Sequence, residues 1–155
     1  MSCVSRNVRV IGSVMVVMVM LGGRSLLQAG PVEHGDAKGE RLHETMEHLG
    51  KLFKQVRGSL KDSTKYAAAA DAAAKMEGLV LEAKTLMPEK VEKMPADQRA
   101  GAMKQYRLNL CELLGQLSQL ESALVEGDQT KATAAPDACA ATMKKGHEQF
   151  REEED

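Results

Sequence analysis

The stretch MKQYRLNLCELLGQLSQLESAL, residues 103–124, has an apolar side chain at every third or fourth position. This spacing predicts an amphipathic α-helix of about six turns. Its apolar face consists of Met103, Tyr106, Leu110, Leu113, Leu117, Leu120 and Leu124. Gly127 and Asp128 follow after two intervening residues. Glycine commonly ends a helix, and aspartate commonly caps the start of the next one. The stretch therefore predicts the first half of a helical hairpin.

Three other segments have the same spacing. They carry Leu42, Met46, Leu49, Phe53, Val56 and Leu60, then Met76, Leu79, Val80, Ala83 and Leu86, and finally Ala132, Cys139, Met143, His147 and Phe150. Pro88 and Pro95 mark the connection before the third helix, whereas Pro136 either kinks the fourth helix or starts it afresh. Aromatic residues make up only 3% of the chain, and no mature segment alternates as a strand would. The predicted fold is all-α, an antiparallel up-down-up-down four-helix bundle over residues 40–155.

The first 29 residues have the pattern of a signal peptide. Arg6 and Arg9 precede an apolar run, residues 10–21, and Ala29 offers a cleavage site. We expect export to the periplasm, with residues 30–39 as a flexible lead-in. A retained membrane anchor is the alternative, because Leu27 stands where signal cleavage prefers a small residue.

Charge and motif content exclude several functions. Cleavage after Ala29 would remove three arginines and no acidic residue, which changes the formal net charge from −1 to −4. A mildly acidic protein is a poor candidate for nucleic-acid binding. The chain has no nucleophile–base constellation and no glycine-rich phosphate loop, so we do not expect an enzyme.

His147 and Met46 are candidate metal ligands. In the predicted topology the start of the first helix and the end of the fourth share one end of the bundle, so these residues lie at similar heights. Both belong to apolar stripes, and a thioether with an imidazole is a known axial pair for haem iron. Each residue also has a plain structural interpretation, as a core histidine and a core methionine. The segment HETMEH, residues 43–48, lacks the H-E-x-x-H spacing of zinc proteases, and we expect His43 and His48 to be solvated.

The chain resembles the soluble cytochrome b562 family from about residue 42 to residue 151. The similar segments are TMEHLGKLFKQV (45–56), YRLNLCELLGQL (106–117) and EGDQTKATAAPDACAATMKKGHEQFR (126–151). The resemblance implies that Met46 and His147 are axial ligands of haem iron, with Tyr106 and Leu110 lining the haem. Met143 completes the expected cofactor-binding set.

The resemblance has one informative departure. The related cytochromes c′ attach haem through C-x-x-C-H, and here Met143 and Gly146 occupy the two cysteine positions. Any haem would therefore be b-type and non-covalent. Gly146 also removes a large side chain beside the ligand, which would loosen the pocket. Cys111 and Cys139 fall about one turn apart in the third and fourth helices, close enough to allow an intrachain disulfide in an oxidising compartment.

Two functions follow from these observations. The first is a periplasmic electron-transfer protein that binds one non-covalent b-type haem through Met46 and His147, with redox partner proteins that the sequence does not identify. The second is a haem-free periplasmic helical bundle that binds a partner or responds to envelope stress.

Overall fold

A computed structural model describes residues 36–151, and every regular element among them is helical. The α-helices are α1 (Asp36–Ser59), α2 (Tyr66–Ala83), α3 (Glu89–Glu92), α4 (Ala96–Glu126) and α5 (Gln129–Phe150), and one 3₁₀ turn covers Ser63–Lys65. The all-α prediction is confirmed. The predicted signal peptide and residues 30–35 lie outside the described residues, whereas residues 36–39, predicted as flexible lead-in, form the start of α1.

The core follows the predicted apolar stripes. Leu49, Val56, Met76, Val80 and Leu117 are almost completely buried. The alanine-rich α2 buries five alanines, and such small side chains let neighbouring helices approach closely. This burial supplies the stability that the separate helices lack.

The connection between α1 and α2 is short and hydrogen-bonded. Asp62 accepts a hydrogen bond from the backbone N–H of Thr64 at 3.1 Å and so caps the 3₁₀ turn. The hydroxyl of buried Tyr66 donates to the carbonyl of Leu60 at 3.2 Å. The turn thus ends α1 and starts α2 with its polar groups paired.

The connection between α2 and α4, which Pro88 and Pro95 predict, contains the single-turn helix α3. Val91 in α3 is fully buried, and so is Pro88 just before it. Pro88 precedes a helix well, since its missing N–H needs no partner there. The connection is therefore part of the core.

The link between α4 and α5 has the predicted caps. Gly127 has φ +69°, its N–H donates to the carbonyl of Leu124, and the N–H of Asp128 donates to that of Ala123. This is the Schellman arrangement, which favours glycine at the left-handed position. The Asp128 carboxylate then accepts the N–H of Lys131 at 3.0 Å and caps α5. α5 continues through buried Pro136, so the helix does not start afresh there.

The helices pack in chain order. α2 packs on α1, α4 packs on α2, and α5 packs on α4, whereas α1 and α5 have almost no close backbone approach. We call the boundary between α1 and α5 the α1–α5 seam. Among the described residues, no helix combines the length and apolar character needed to cross a bilayer.

Candidate haem site

Met46 lies on α1 at the edge of the core. Its side chain is half-buried and packs against the buried cluster, beside almost fully buried Leu49. The preceding Thr45 is buried, and its hydroxyl donates to the carbonyl of Arg41 at 2.7 Å. Met46 therefore presents a thioether sulfur at the margin of an apolar face.

His147 lies in the last turn of α5 and is exposed. Its predicted place in the buried stripe is wrong, because α1 has too little contact with α5 to cover it. Partial burial of the ring and the nearby charge of Arg151 lower the imidazole pKa below its ordinary value. The ring is therefore mostly neutral at pH 7, the form whose nitrogen can coordinate a metal.

An ion pair between Arg57 and Asp137 bridges α1 and α5. Arg57 Nη2, near the end of α1, lies 3.6 Å from Asp137 Oδ1 in the first half of α5. Met46 precedes Arg57 by eleven residues, and His147 follows Asp137 by ten. At 1.5 Å per residue these spans are about 17 Å and about 15 Å. The two candidate ligands are thus nearly equally far along their helices from this ion pair.

Tyr106 and Phe150 join α4 to the end of α5. Their rings meet edge to face, with centroids 5.2 Å apart. The Tyr106 hydroxyl donates to the carbonyl of Ala83 at 3.1 Å, and burial raises its pKa well above the usual value. The Tyr106 hydroxyl therefore keeps its proton and donates it in a hydrogen bond within the protein. Phe150, which the predicted site omits, holds the turn of α5 that carries His147 against α4.

The remaining predicted site residues are apolar. Leu110 is buried in α4, and Met143 in α5 is half-buried against the core. They can exclude water from a flat apolar ligand without binding its metal. His43 and His48 on α1 are exposed, as expected.

A polar contact that the sequence did not predict lies one turn before His147. Buried Asn109 in α4 donates its amide N–H to the carbonyl of Thr142 in α5 at 3.4 Å. A Cβ at Gly146 would lie 2.6 Å from that amide nitrogen. The space that we expected to loosen the pocket is therefore occupied by Asn109. The available signal was a polar residue beside Leu110 in a strongly apolar stripe.

The cysteines are not bridged. Cys111 is exposed on the outer side of α4, and Cys139 is fully buried in α5. The disulfide that the sequence allows between Cys111 and Cys139 is not formed in this structure, and it stays a prediction for the oxidised protein. Burial raises the pKa of Cys139 to about 11.

The residues present suit haem in their donor chemistry and surroundings. Met46 offers a thioether at the margin of the core, and His147 offers an exposed imidazole whose lowered pKa favours the neutral, metal-binding form. A thioether and an imidazole are a donor pair that haem iron takes, and half-buried Met143 adds apolar surface one turn before His147. In residues 36–151, no three His, Cys, Asp or Glu side chains are grouped so that they could hold a metal ion.

Comparison with known proteins gives the family. The family model for cytochrome b562 matches residues 41–151, from the second turn of α1 through the end of α5. No curated protein sequence is significantly similar to the chain. The match covers well over half of the chain and includes every candidate site residue. The chain belongs to the cytochrome b562 family.

Proposed function

We propose that this protein is a periplasmic electron carrier that binds one b-type haem non-covalently, with Met46 and His147 as the axial ligands. Membership in the cytochrome b562 family is the observation that carries the proposal, since that family implies a haem-binding electron-transfer protein. The donor types at the α1–α5 seam support it. The basic and apolar segment before Ala29 supports export, and a redox protein of the same compartment would be the partner.

The proposal includes an antiparallel up-down-up-down arrangement of α1, α2, α4 and α5. Arg41, early in α1, bonds Glu82, late in α2, at 2.7 Å. Arg57, late in α1, pairs with Asp137, early in α5. Each contact joins the start of one helix to the end of another, as opposite chain directions require. In that arrangement Met46 and His147 lie at similar heights on either side of the seam.

Each protein group then has a defined task. Bound haem supplies an iron that gains and loses one electron reversibly. The Met46 thioether would favour the reduced state and so would raise the reduction potential. The His147 imidazole, kept mostly neutral by its surroundings, would provide the nitrogen ligand. Leu110 and Met143 would exclude water, which would also favour the less charged state.

The ligand set favours electron transfer over catalysis. If Met46 and His147 both hold the iron, the protein would supply both of its remaining ligands and would leave no position for a substrate. Non-covalent binding follows from Met143 and Gly146, which stand where a C-x-x-C-H motif would have its cysteines. The haem would therefore be retained by two ligand bonds and by packing.

A haemin titration of the purified exported protein tests the proposal. We expect saturation at one haem per chain and the sharp visible bands of low-spin iron in the oxidised and reduced forms. His147→Ala should abolish these bands and Met46→Ala should weaken them. His48→Ala is the matched control, because His48 is an exposed histidine two residues from Met46. No saturable binding, or identical spectra for His147→Ala and the wild type, would contradict the proposal and leave the haem-free bundle.

A further inference from the structure

The contact between α4 and α5 contains a buried amide whose role packing does not explain. Asn109 is 5% exposed, and its side chain stands beside Leu110 among apolar residues. Its nitrogen donates to the carbonyl of Thr142 at 3.4 Å, while its oxygen is buried without a hydrogen-bond partner among the described residues. This orientation of the Asn109 amide is favourable, because exchanging its nitrogen and oxygen would direct the amide oxygen at the carbonyl oxygen of Thr142. A half-paired buried amide is destabilising compared with an apolar side chain of the same size.

Gly146 is fitted to this amide. The carbonyl of Thr142 is the one that the N–H of residue 146 meets in an α-helix, so Asn109 contacts the turn at the point where Gly146 closes it. A Cβ at position 146 would lie 2.6 Å from the Asn109 nitrogen, closer than such atoms approach. Every other glycine of residues 36–151, Gly115 among them, has no such neighbour within 4 Å. Among the described glycines, Gly146 is therefore the one at which another residue occupies the space that a side chain would need.

This contact lies beside His147. The same end of α5 is held to α4 a second time, by the edge-to-face contact of Phe150 with Tyr106 at 5.2 Å. His147 follows Gly146 directly and precedes Phe150 by three residues, so it lies between the two attachments. On its other side α1 has almost no backbone contact with α5. The turn of α5 that carries His147 is thus held from the α4 side.

We propose that Asn109 is a positioning residue for His147. Its amide fixes the turn of α5 that carries the ligand, and glycine at position 146 leaves the room that the amide needs. This inference rests on the proposed function, because it concerns how His147 is held as a haem ligand.

The haem-free protein gives the first test. Replacing an exposed helical glycine by alanine raises stability, so Gly115→Ala should raise the melting temperature. Gly146→Ala should lower it, because the new methyl group displaces the Asn109 amide. Combined with Asn109→Ala, Gly146→Ala should again raise the melting temperature, since the clash is gone. Additive effects of the two substitutions would overturn the proposed fit between Asn109 and Gly146.

The haem-bound protein gives the second test. Asn109→Leu keeps the bulk and removes the hydrogen bond, so the fold should be no less stable. Haem affinity should nevertheless fall by about tenfold, the lower range for loss of a group that orients a metal ligand. The ferric spectrum should gain a high-spin component, which added imidazole reverses. Gln116→Leu is the matched control, because Gln116 also has a buried oxygen without a partner and lies one heptad further along α4. It should leave the spectrum unchanged.

The outcomes separate the two proposals. If the wild type shows His147-dependent low-spin bands and Asn109→Leu has the same affinity and spectrum, Asn109 does not position the ligand and the proposed function stands. If Gln116→Leu changes the spectrum as much as Asn109→Leu, the effect is general loosening and the inference is wrong. If the wild type does not bind haem saturably, both proposals are overturned.

Discussion

Replacing Tyr106 by phenylalanine separates the structural role of this residue from a direct role at the haem. The hydroxyl lies in the core and donates to the carbonyl of Ala83 at 3.1 Å, which ties α4 to the end of α2. The ring separately contacts Phe150. Tyr106→Phe removes the first interaction and keeps the second.

The expected loss of stability follows from what the substitution leaves behind. The carbonyl of Ala83 still accepts the N–H of Leu86 at 3.0 Å, so no backbone group becomes unpaired. The loss is then that of one neutral hydrogen bond, about 1 kcal/mol of unfolding free energy. For a domain of this size that corresponds to a melting temperature lower by about 4 °C. Since burial raises the Tyr106 pKa, the hydroxyl stays protonated and the loss should not vary between pH 6 and pH 9.

Urea denaturation and haemin titration of the same two proteins provide the measurement. Because the hydroxyl is used within the protein, we expect haem affinity to change by less than about twofold, well under 1 kcal/mol. Tyr66→Phe is the matched control, since its buried hydroxyl donates to the carbonyl of Leu60 at the turn between α1 and α2. It should cost similar stability and leave haem affinity unaltered. Unchanged stability with strongly weakened haem binding would refute the reasoning, because the hydroxyl would then contact the ligand.

Three further predictions concern caps and thiols. Gly127→Ala should lower the unfolding free energy by about 1 kcal/mol, because φ +69° disfavours alanine. Gly115→Ala, in a regular helix, should raise the unfolding free energy by a similar amount, about 1 kcal/mol. Melting temperatures that shift equally in the same direction for the two variants would contradict this. The Asp128 pKa is lowered chiefly by a hydrogen bond from a backbone N–H of α5, so the charged carboxylate stabilises the fold at pH values above the unfolded pKa. This contribution is lost as the pH falls from about 4 through the lower folded pKa. Asp128→Asn should therefore be less stable than the wild type at pH 6 but not at pH 2, which pH-dependent denaturation would measure. In thiol labelling of the native protein at pH 8, exposed Cys111 should react quickly, whereas Cys139, buried with a pKa of about 11, should react only on unfolding. Comparable labelling rates for Cys111 and Cys139 would contradict this, because the α5 face of the core would then be open to the reagent.

The apolar spacing was sufficient to predict the four long helices. A stripe such as Leu49, Phe53 and Val56 has to be covered, so its position in sequence fixes its place in the core. The single turn of α3 could not be predicted in this way. Val91 is fully buried because the connection folds back onto the bundle. Only two apolar residues, Val91 and Met94, lie between the prolines, which is too few to show a period.

The site was less predictable than the fold. Met46 and His147 both occupy positions that the spacing assigns to a buried face, yet Met46 is half-buried and His147 is exposed. Whether a stripe residue is buried at the end of a bundle depends on how closely the neighbouring helix approaches. That separation between α1 and α5 depends on side chains from the whole bundle, and no local pattern encodes it.

The unequal contacts of α5 bear on how the proposed site works. Its α4 side is closed by Asn109 and by the ring pair at Phe150, whereas its α1 side has the ion pair of Asp137 with Arg57 far from the ligands. The contact of α5 with α4 is therefore made by several protein side chains, whereas α1 and α5 approach each other closely at few backbone positions. A haem bonded to Met46 on one helix and His147 on the other would itself join α1 to α5. Binding energy would then also be folding energy, since a ligand that binds only the folded state stabilises it by mass action.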